Sequence, residues 1–220
     1  MDVIEALARR RSVRAFKPDL VPEETLRRIF VEAQRTPSWC NVQPWRVWVA
    51  SGASRVALTE GMLEQAKTGA PHPDVPFPTE YPEPYGARRK ACGGALYEAM
   101  GVQRGDGEGR LAAWLRNFVA FDAPHVAIVG IDRCFDLYAA VDVGCWLESL
   151  LLVATSLGVS TCAQASLAVY PSVSRRVLGI GEDVRILFGV GLGYEDEAAP
   201  ANRCRTTREP VEANVTFSKD

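Results

Sequence analysis

The feature that most constrains the fold is a long apolar segment at residues 137–157 (LYAAVDVGCWLESLLLVATSL), whose only charged residues are Asp142 and Glu148. As a helix it would make about six turns, and so apolar a helix needs cover on most of its surface from lipid or from protein. The two carboxylates and several small residues argue against a membrane span. The segment therefore predicts a helix buried in the middle of the fold or of an interface between subunits.

Length and composition favour one globular domain over residues 1–220. The chain is 47% apolar, which is enough to bury a core. Its net charge of -2 argues against a dedicated nucleic-acid surface. The first residues alternate charged and apolar groups at helical spacing and do not resemble a secretory signal. We expect a cytoplasmic protein that binds neither nucleic acid nor membrane.

The cysteines and histidines do not predict a metal site. Six Cys are scattered without a C-x-x-C pair, and only His72 and His125 could complete a zinc site. Cys40 follows Trp39 and could be considered as a thiol nucleophile, but neither His lies near it in sequence. We therefore interpret Cys40 as a small packing residue and expect reduced thiols.

Hydrophobic periodicity predicts alternating helices and strands. Helices are expected at residues 2–10, 22–36, 54–67, 86–100, 107–118, 137–157 and 172–178, and strands at 46–50, 125–131, 160–163 and 184–192. The intervening Pro-rich segment, residues 68–85, is expected to form an ordered excursion or a lid. This pattern predicts an α+β fold in which many helices wrap a central sheet of few strands.

Two arginine clusters are candidates for binding a phosphate. RRRSVR at residues 9–14 adds a Ser hydroxyl to four guanidinium groups, and NRCRTTR at residues 202–208 supplies three more. Guanidinium groups bind phosphate through two parallel hydrogen bonds. Each cluster alone is also what a solvated basic turn would look like. Together, two clusters at opposite ends of the chain could converge on one dianion.

The glycines of GVGLG, residues 189–193, resemble a dinucleotide-binding loop only superficially. The residues that follow them are polar and include Pro200, so no helix begins there to receive a pyrophosphate. We interpret these glycines as closely packed strand and turn positions.

Six stretches, taken in order, resemble the FMN-dependent nitroreductase family, and most of all its branch that reduces nitrobenzoate-type and related nitroaromatic compounds. They are RRSVRAF (10–16), TPSWCNVQPW (36–45), YPEPYGARRKACGGALY (81–97), RNFVAFDAP (116–124), LGVSTCAQASL (157–167) and GLGYEDEAAPANRCRTTREPVE (191–212). The resemblance implies a nitroreductase-like fold with a mostly antiparallel central sheet, in an intertwined homodimer. It also implies that the tail, residues 200–220, completes the phosphate site and the dimer.

The resemblance assigns the FMN phosphate and ribityl chain to residues at both ends of the chain. At the N-terminus the matching positions are Arg10, Ser12 and Arg14, with Arg11 beside them. In the tail the family's Arg before a Pro corresponds to Arg208, with Arg205 as a helper.

The resemblance assigns the isoalloxazine to three further segments. In the homodimer a loop from the partner subunit would line the ring with Pro37, Ser38, Trp39 and Asn41, and Gln43 would hold that loop. Asn117 would face the pyrimidine edge. The backbone near flavin N5 would come from Ala163, Gln164 and Ala165, where Ala165 and Ser166 replace the Glu and Gly of many relatives.

The function implied is hydride transfer from NAD(P)H through FMN to a nitroaromatic or quinone-like acceptor, in a ping-pong sequence with no obligatory catalytic side chain. Two alternatives stay open. One is a protein that binds FMN without turnover, and the other is related flavin chemistry such as dehalogenation or the redox chemistry of azolines or enones.

Overall fold

Helices surround one antiparallel sheet in the computed structural model, which describes residues 1–218. The helices are α1 (Val3–Arg9), α2 (Glu23–Ala33), α3 (Gly52–Thr68), α4 (Tyr85–Ala99), α5 (Gly107–Leu115), α6 (Leu137–Ser156) and α7 (Pro171–Leu178). The strands are β1 (Arg46–Ser51), β2 (His125–Asp132), β3 (Ser160–Gln164) and β4 (Val184–Gly193). Short 3₁₀ helices span Trp39–Asn41, Arg116–Asp122, Ala165–Ala168, Pro200–Arg203 and Val211–Ala213. The predicted α+β fold is confirmed, and the predicted elements lie close to these bounds.

The sheet has the strand order β1-β2-β4-β3, and every neighbouring pair is antiparallel. A register shift between Val129 and Gly130 of β2 leaves one extra residue, Leu187, on β4. Because side chains alternate along a strand, this bulge exchanges the two faces of β4. Ile186 consequently packs in the core under α3 and α7, whereas Val190 packs in the core under α2 and α6.

The three glycines of β4 allow other segments to lie directly on the sheet. A Cβ at Gly189 would come within 2.6 Å of Leu167 Cδ1, and one at Gly193 within 2.5 Å of Pro124 Cδ. A Cβ at Gly191 would lie 3.0 Å from that of Ala123. The predicted strand and close-packing role of GVGLG is therefore confirmed, and its cause is the approach of the 3₁₀ helices on that face.

The long apolar helix α6 is covered on one side only. Val143, Trp146 and Leu150 are buried against the sheet, whereas Leu137 and Tyr138 are more than two-thirds exposed. By length and composition alone α6 could span a membrane, although a third of its most apolar stretch is buried inside the chain. Within this chain α6 therefore does not lie in the middle of the fold, and an interface between subunits stays the other predicted place for it.

Helix α1 also carries an apolar face that this chain leaves open. This face contains Ile4 and Leu7: Ile4 is 75% exposed, and Ala6 is the buried residue of the helix. At the start of the helix the Glu5 N–H donates to Asp2 Oδ1 at 2.8 Å, and the Glu5 carboxylate pairs with Arg9.

The Pro-rich segment is ordered where it leaves α3. The Asp74 carboxylate, which is nearly buried, accepts hydrogen bonds from Arg175 Nη2 and the Ile186 N–H at 2.9 Å each. The His72 N–H donates to the Val169 carbonyl at 3.1 Å. Beyond these anchors the chain runs exposed into α4, as expected for an excursion outside the core.

A buried histidine joins three segments at one end of the sheet. His125 Nε2 accepts the Val21 N–H at 3.1 Å, so its Nδ1, at 2.6 Å from Ser51 Oγ, carries the proton. Burial lowers the pKa of His125 below its usual value of 6.5. The unfolded chain therefore takes up this proton at a higher pH than the folded chain, and stability is lost as the pH falls below about 6.5.

We predict that His125→Gln flattens this pH dependence. Glutamine offers an oxygen to the Val21 N–H and does not titrate. Urea unfolding at a series of pH values between about 7.5 and 5.5 should show a smaller fall in the free energy of unfolding for the variant than for the wild type. His72→Gln, at the exposed histidine, is the control and should keep the wild-type slope. An equal slope for wild type and His125→Gln would contradict the assignment.

Candidate cofactor site

The first arginine cluster lies along the outer edge of β3. After α1 the chain becomes extended, Ser12 forms a parallel bridge with Thr161, and the Val13 N–H donates to the Thr161 carbonyl at 3.0 Å. Side chains alternate along an extended segment, so Arg10, Ser12 and Arg14 share the side opposite Arg11 and Val13. Consistent with this alternation, Arg11 and Val13 together line a surface cleft that the other three residues do not.

Arg11 has a partner of its own on its side of the segment. Its guanidinium forms a two-point ion pair with Glu195, whose carboxylate is nearly buried. The charge of this guanidinium is neutralised and two of its nitrogens already donate to a carboxylate, so it is poorly suited to bind a phosphate. The structure thus separates Arg11 from the three residues beside which the sequence had grouped it.

Asn202 brings the second arginine cluster to the first. Its side chain is 5% exposed, and Oδ1 accepts the Arg14 N–H at 2.7 Å while Nδ2 donates to the Ala15 carbonyl at 2.8 Å. The same Nδ2 donates to the Asp196 carbonyl at 2.9 Å, and the Asn202 carbonyl accepts from Arg205 Nη1 at 2.6 Å. The two clusters predicted to converge are therefore connected through one buried amide.

The guanidinium groups around this amide are available for an anion. Arg14 donates to the Ser12 carbonyl and Arg205 to two backbone carbonyls. Arg208 contacts only its neighbours Thr206 and Thr207, so within this chain its side chain is not joined to Arg14. Over residues 1–218 none of these three arginines pairs with a carboxylate, and Arg10 has only Glu148 at 3.8 Å. Such a donor set fits a phosphate group.

The loop at residues 37–43 holds a constrained shape on the surface. Cys40, Asn41 and Gln43 all have positive φ angles, of 48°, 56° and 50°, which side chains other than glycine rarely adopt. The Gln43 N–H donates to Ser38 Oγ at 2.9 Å, and Gln43 Nε2 lies 3.2 Å from both oxygens of Asn41. The role expected for Gln43, holding the loop, is consistent with these bonds. Pro37, Trp39 and Asn41 are exposed.

The loop is attached to α6 of its own chain. The Trp39 N–H donates to both carboxylate oxygens of Asp142, at 3.1 and 3.3 Å. The Trp39 ring packs against the Tyr138 ring with a centroid distance of 5.7 Å. Trp39 nonetheless stays 68% exposed, so one face of its indole is free for another molecule.

The end of β3 is tied to the 3₁₀ helix Arg116–Asp122. Gln164 Nε2 donates to the Asn117 carbonyl at 3.0 Å, and the Asn117 side chain donates back to the Trp114 carbonyl at 2.9 Å. Gln164 is buried, Ala163 is half-buried and Ala165 is exposed. In this chain the two amides that the sequence assigned to flavin edges therefore bond to protein, and Ala165 leaves its segment open to a ligand.

The cysteines divide by burial. Cys40, Cys92, Cys134 and Cys145 are exposed, whereas Cys162 is buried. Burial raises the pKa of the Cys162 thiol to about 11, and the nearby Arg14 charge lowers it only in part. Over residues 1–218 no three His, Cys, Asp or Glu side chains form a group that could hold a metal ion.

A helix-wrapped antiparallel sheet with joined arginine segments at its edge defines an α+β protein with a candidate phosphate site, and the comparisons give its family. A sequence model of the nitroreductase family matches residues 7–194. The chain belongs to the nitroreductase family. The resemblance found in the sequence is thereby confirmed.

Two curated relatives and one solved structure illustrate the similarity. The chain is 38% identical to a 4-nitrobenzoate reductase from Nocardioides sp. (strain LMS-CY), covering 100% of this chain and 92% of the relative. It is 34% identical to a chloronitrobenzene nitroreductase from Comamonas testosteroni, covering 94% and 93%. The crystal structure of the FMN-dependent nitroreductase NfnB from Mycobacterium smegmatis, in complex with NADPH, superposes with a TM-score of 0.94 at 34% identity, covering 99% and 100% of the two chains.

Sequence reasoning missed Asn202 and Asp142 as parts of the site. Asn202 stands inside the second arginine cluster, but nothing in the sequence distinguishes a buried joining amide from a surface one. Asp142 carried a signal: it and Glu148 are the only charges in the apolar helix, and each lies against one of the two predicted site segments. An isolated carboxylate in an apolar helix indicates that a hydrogen-bond donor from another segment lies against it.

We predict that Asn202→Asp destabilises the protein by about 3 kcal/mol or more, because two buried carbonyls lose their donor and face a carboxylate oxygen instead. Urea unfolding at neutral pH measures this change. Asn214→Asp, at an exposed tail position, is the matched control and should be nearly neutral. Equal stability of the two variants would show that Asn202 does not hold the clusters together.

Proposed function

We propose that this protein is an FMN-dependent NAD(P)H oxidoreductase that reduces nitroaromatic compounds. The observation that carries the proposal is the union of Arg14 and Arg205 through Asn202. This union supports the proposal because, over residues 1–218, neither guanidinium pairs with a carboxylate, and because relatives of the chain are named for reducing 4-nitrobenzoate and chloronitrobenzene. Bound FMN supplies the hydride transfer between NAD(P)H and the acceptor.

The side chains have distinct roles in this proposal. Arg10, Ser12 and Arg14 hold the FMN phosphate and ribityl chain, with Arg205 and Arg208 approaching from the tail. Arg11 does not take part, because Glu195 already neutralises it. A phosphate held by several guanidinium groups selects FMN over a dinucleotide, since an adenylate would need space beyond the phosphate.

The isoalloxazine is bound between flat and narrow walls, which suits its shape. The loop at 37–43 contributes Pro37, Ser38, Trp39 and Asn41, and Asn117 lies beside the opposite ring edge with the segment Ala163, Gln164 and Ala165. These residues orient the ligands and exclude water. None of them exchanges a proton as an obligatory step, so we assign no catalytic side chain.

The site is completed in a homodimer. Helices α1 and α6 contact each other, and each leaves apolar residues open in this chain: Ile4 and Leu7 on α1, and Leu137, Tyr138 and Val141 on α6. Exposed apolar helix faces of this kind indicate a protein interface. The loop at 37–43, which is attached to α6, then reaches the flavin of the partner subunit, and the tail from residue 200 adds to the same interface.

The remaining parts of the proposal concern organisation and location. Residues 1–220 act as one FMN-binding domain, from which residues 68–85 form an excursion. The protein works in the cytoplasm, where NAD(P)H is available.

We predict that Arg205→Ala weakens FMN binding by about ten- to hundredfold, because a charge-assisted hydrogen bond to phosphate contributes about 1.5–3 kcal/mol. Quenching of flavin fluorescence during titration of the apoprotein gives the Kd. Arg9→Ala is the matched control, since Arg9 belongs to the first cluster but pairs with Glu5 on the surface. Wild-type protein that neither purifies with FMN nor binds added FMN would overturn the proposed function.

Turnover distinguishes an enzyme from a protein that only stores FMN. With 4-nitrobenzoate as acceptor we expect steady NAD(P)H oxidation and parallel lines in initial-rate plots, because one open flavin face serves donor and acceptor in turn. Intersecting lines would contradict a shared face. Bound FMN without any steady oxidation would favour the non-turnover alternative, and activity only towards halogenated or azoline substrates would favour the related flavin chemistries.

A further inference from the structure

The loop at residues 37–43 adopts a backbone conformation that its own residues disfavour. Three of the four residues from Cys40 to Gln43 lie in the left-handed region, although none is glycine. Such conformations persist only where surrounding contacts over-determine them, and they concentrate at functional sites. The contacts that hold this loop therefore decide the shape it presents to a ligand.

Contacts within the loop close it on itself. The Gln43 N–H is bonded to Ser38 Oγ, and the Gln43 amide is bonded to Asn41. The Asn41 N–H donates to the Ser38 carbonyl and the Val42 N–H to the Trp39 carbonyl, at 3.0 Å each. These bonds do not fix the loop to the rest of the molecule, and the Trp39 N–H takes no part in them.

Asp142 fixes the loop to α6. Its two carboxylate oxygens share the Trp39 N–H, and one helical turn earlier on α6 the Tyr138 ring supports the indole. No cation pairs with Asp142 among residues 1–218. Asp142 is half-buried, and the hydrogen bonds that its carboxylate accepts among these residues come from the Trp39 N–H. A hydrogen bond to a charged carboxylate is stronger than one to a neutral acceptor, so it holds this N–H in place.

We propose that Asp142 is a positioning residue for the flavin-binding loop: it anchors Trp39 so that the loop is already shaped to meet the isoalloxazine. This inference rests on the proposed function, because the loop is assigned to the flavin there. Asp142 does not touch the reacting atoms, and it acts through the Trp39 N–H. A preformed loop binds its ligand more tightly, since less backbone freedom is lost on binding.

The test compares Asp142 with a second carboxylate on the same helix. Asp136, the N-cap residue of α6, is exposed, and its side chain makes no capping hydrogen bond. Asp142→Ala and Asp136→Ala therefore remove the same charge from neighbouring turns, but only the first frees the Trp39 N–H. The measurements are the Kd for FMN, the visible circular dichroism of bound FMN, and hydrogen exchange of a peptide that contains Trp39.

We expect Asp142→Ala to raise the Kd for FMN by about tenfold, the effect of losing one charge-assisted hydrogen bond. Its visible dichroism should change and its Trp39 amide should exchange faster. Asp142→Asn keeps one oxygen towards Trp39 and should raise the Kd by only about threefold. Asp136→Ala and Asp136→Asn should match the wild type in all three measurements.

The outcomes separate this inference from the function beneath it. Wild-type protein that does not bind FMN would overturn the proposed function and this role with it. Wild-type protein that binds FMN, together with folded Asp142 variants that match the Asp136 variants in Kd and dichroism, would overturn this role alone. If Asp142→Ala does not fold, as judged by far-ultraviolet dichroism, the isosteric Asp142→Asn is compared with Asp136→Asn instead, and that comparison decides the role of Asp142.

Discussion

Two segments of the candidate site, the loop at residues 37–43 and the arginine segment at residues 10–14, depend on the burial of one face of α6 against the sheet. Val143, Trp146 and Leu150 fix the helix on the core side. With the helix held, Asp142 meets the Trp39 N–H near one end and Glu148 lies by Arg10 about two turns further on. The same helix leaves Leu137, Tyr138 and Val141 open. One packed element thus positions two site segments and leaves an apolar surface open.

On the opposite face of the sheet, irregular segments pack close to the strands. The bulge at Leu187 turns the apolar side chains of β4 to the α6 side beyond that point, and the glycines then face the other way. Phe16, Ala123 and Leu167 lie directly on those glycines. The segments that carry Arg14, Asn117 and Gln164 are consequently held within a short distance of one another, although they are far apart in the chain.

Electrostatics separates structural arginines from those left for a ligand. Arg175 contacts Asp74 inside the protein, and Arg11 contacts Glu195, so the fold neutralises these charges itself. Arg14 and Arg205 bond only to neutral protein groups over residues 1–218. In a chain of net charge -2, an anion site is therefore located by which arginines lack a carboxylate partner, and not by the total number of arginines. It is the physical basis for placing a phosphate at the edge of β3.

The sequence by itself determined the helices and strands, the packing role of GVGLG, and the family, because periodicity, glycine spacing and ordered motifs are all local properties. It also paired the two arginine clusters that Asn202 joins. Only the tertiary structure decided that Arg11 is neutralised, that Asn202 joins Arg14 to the tail, and that Asp142 holds Trp39. Arg14 and Asn202 are 188 residues apart, and Trp39 and Asp142 are 103 apart. Their pairing depends on where a bulge, a helix face and a sheet edge bring them, which no local pattern records.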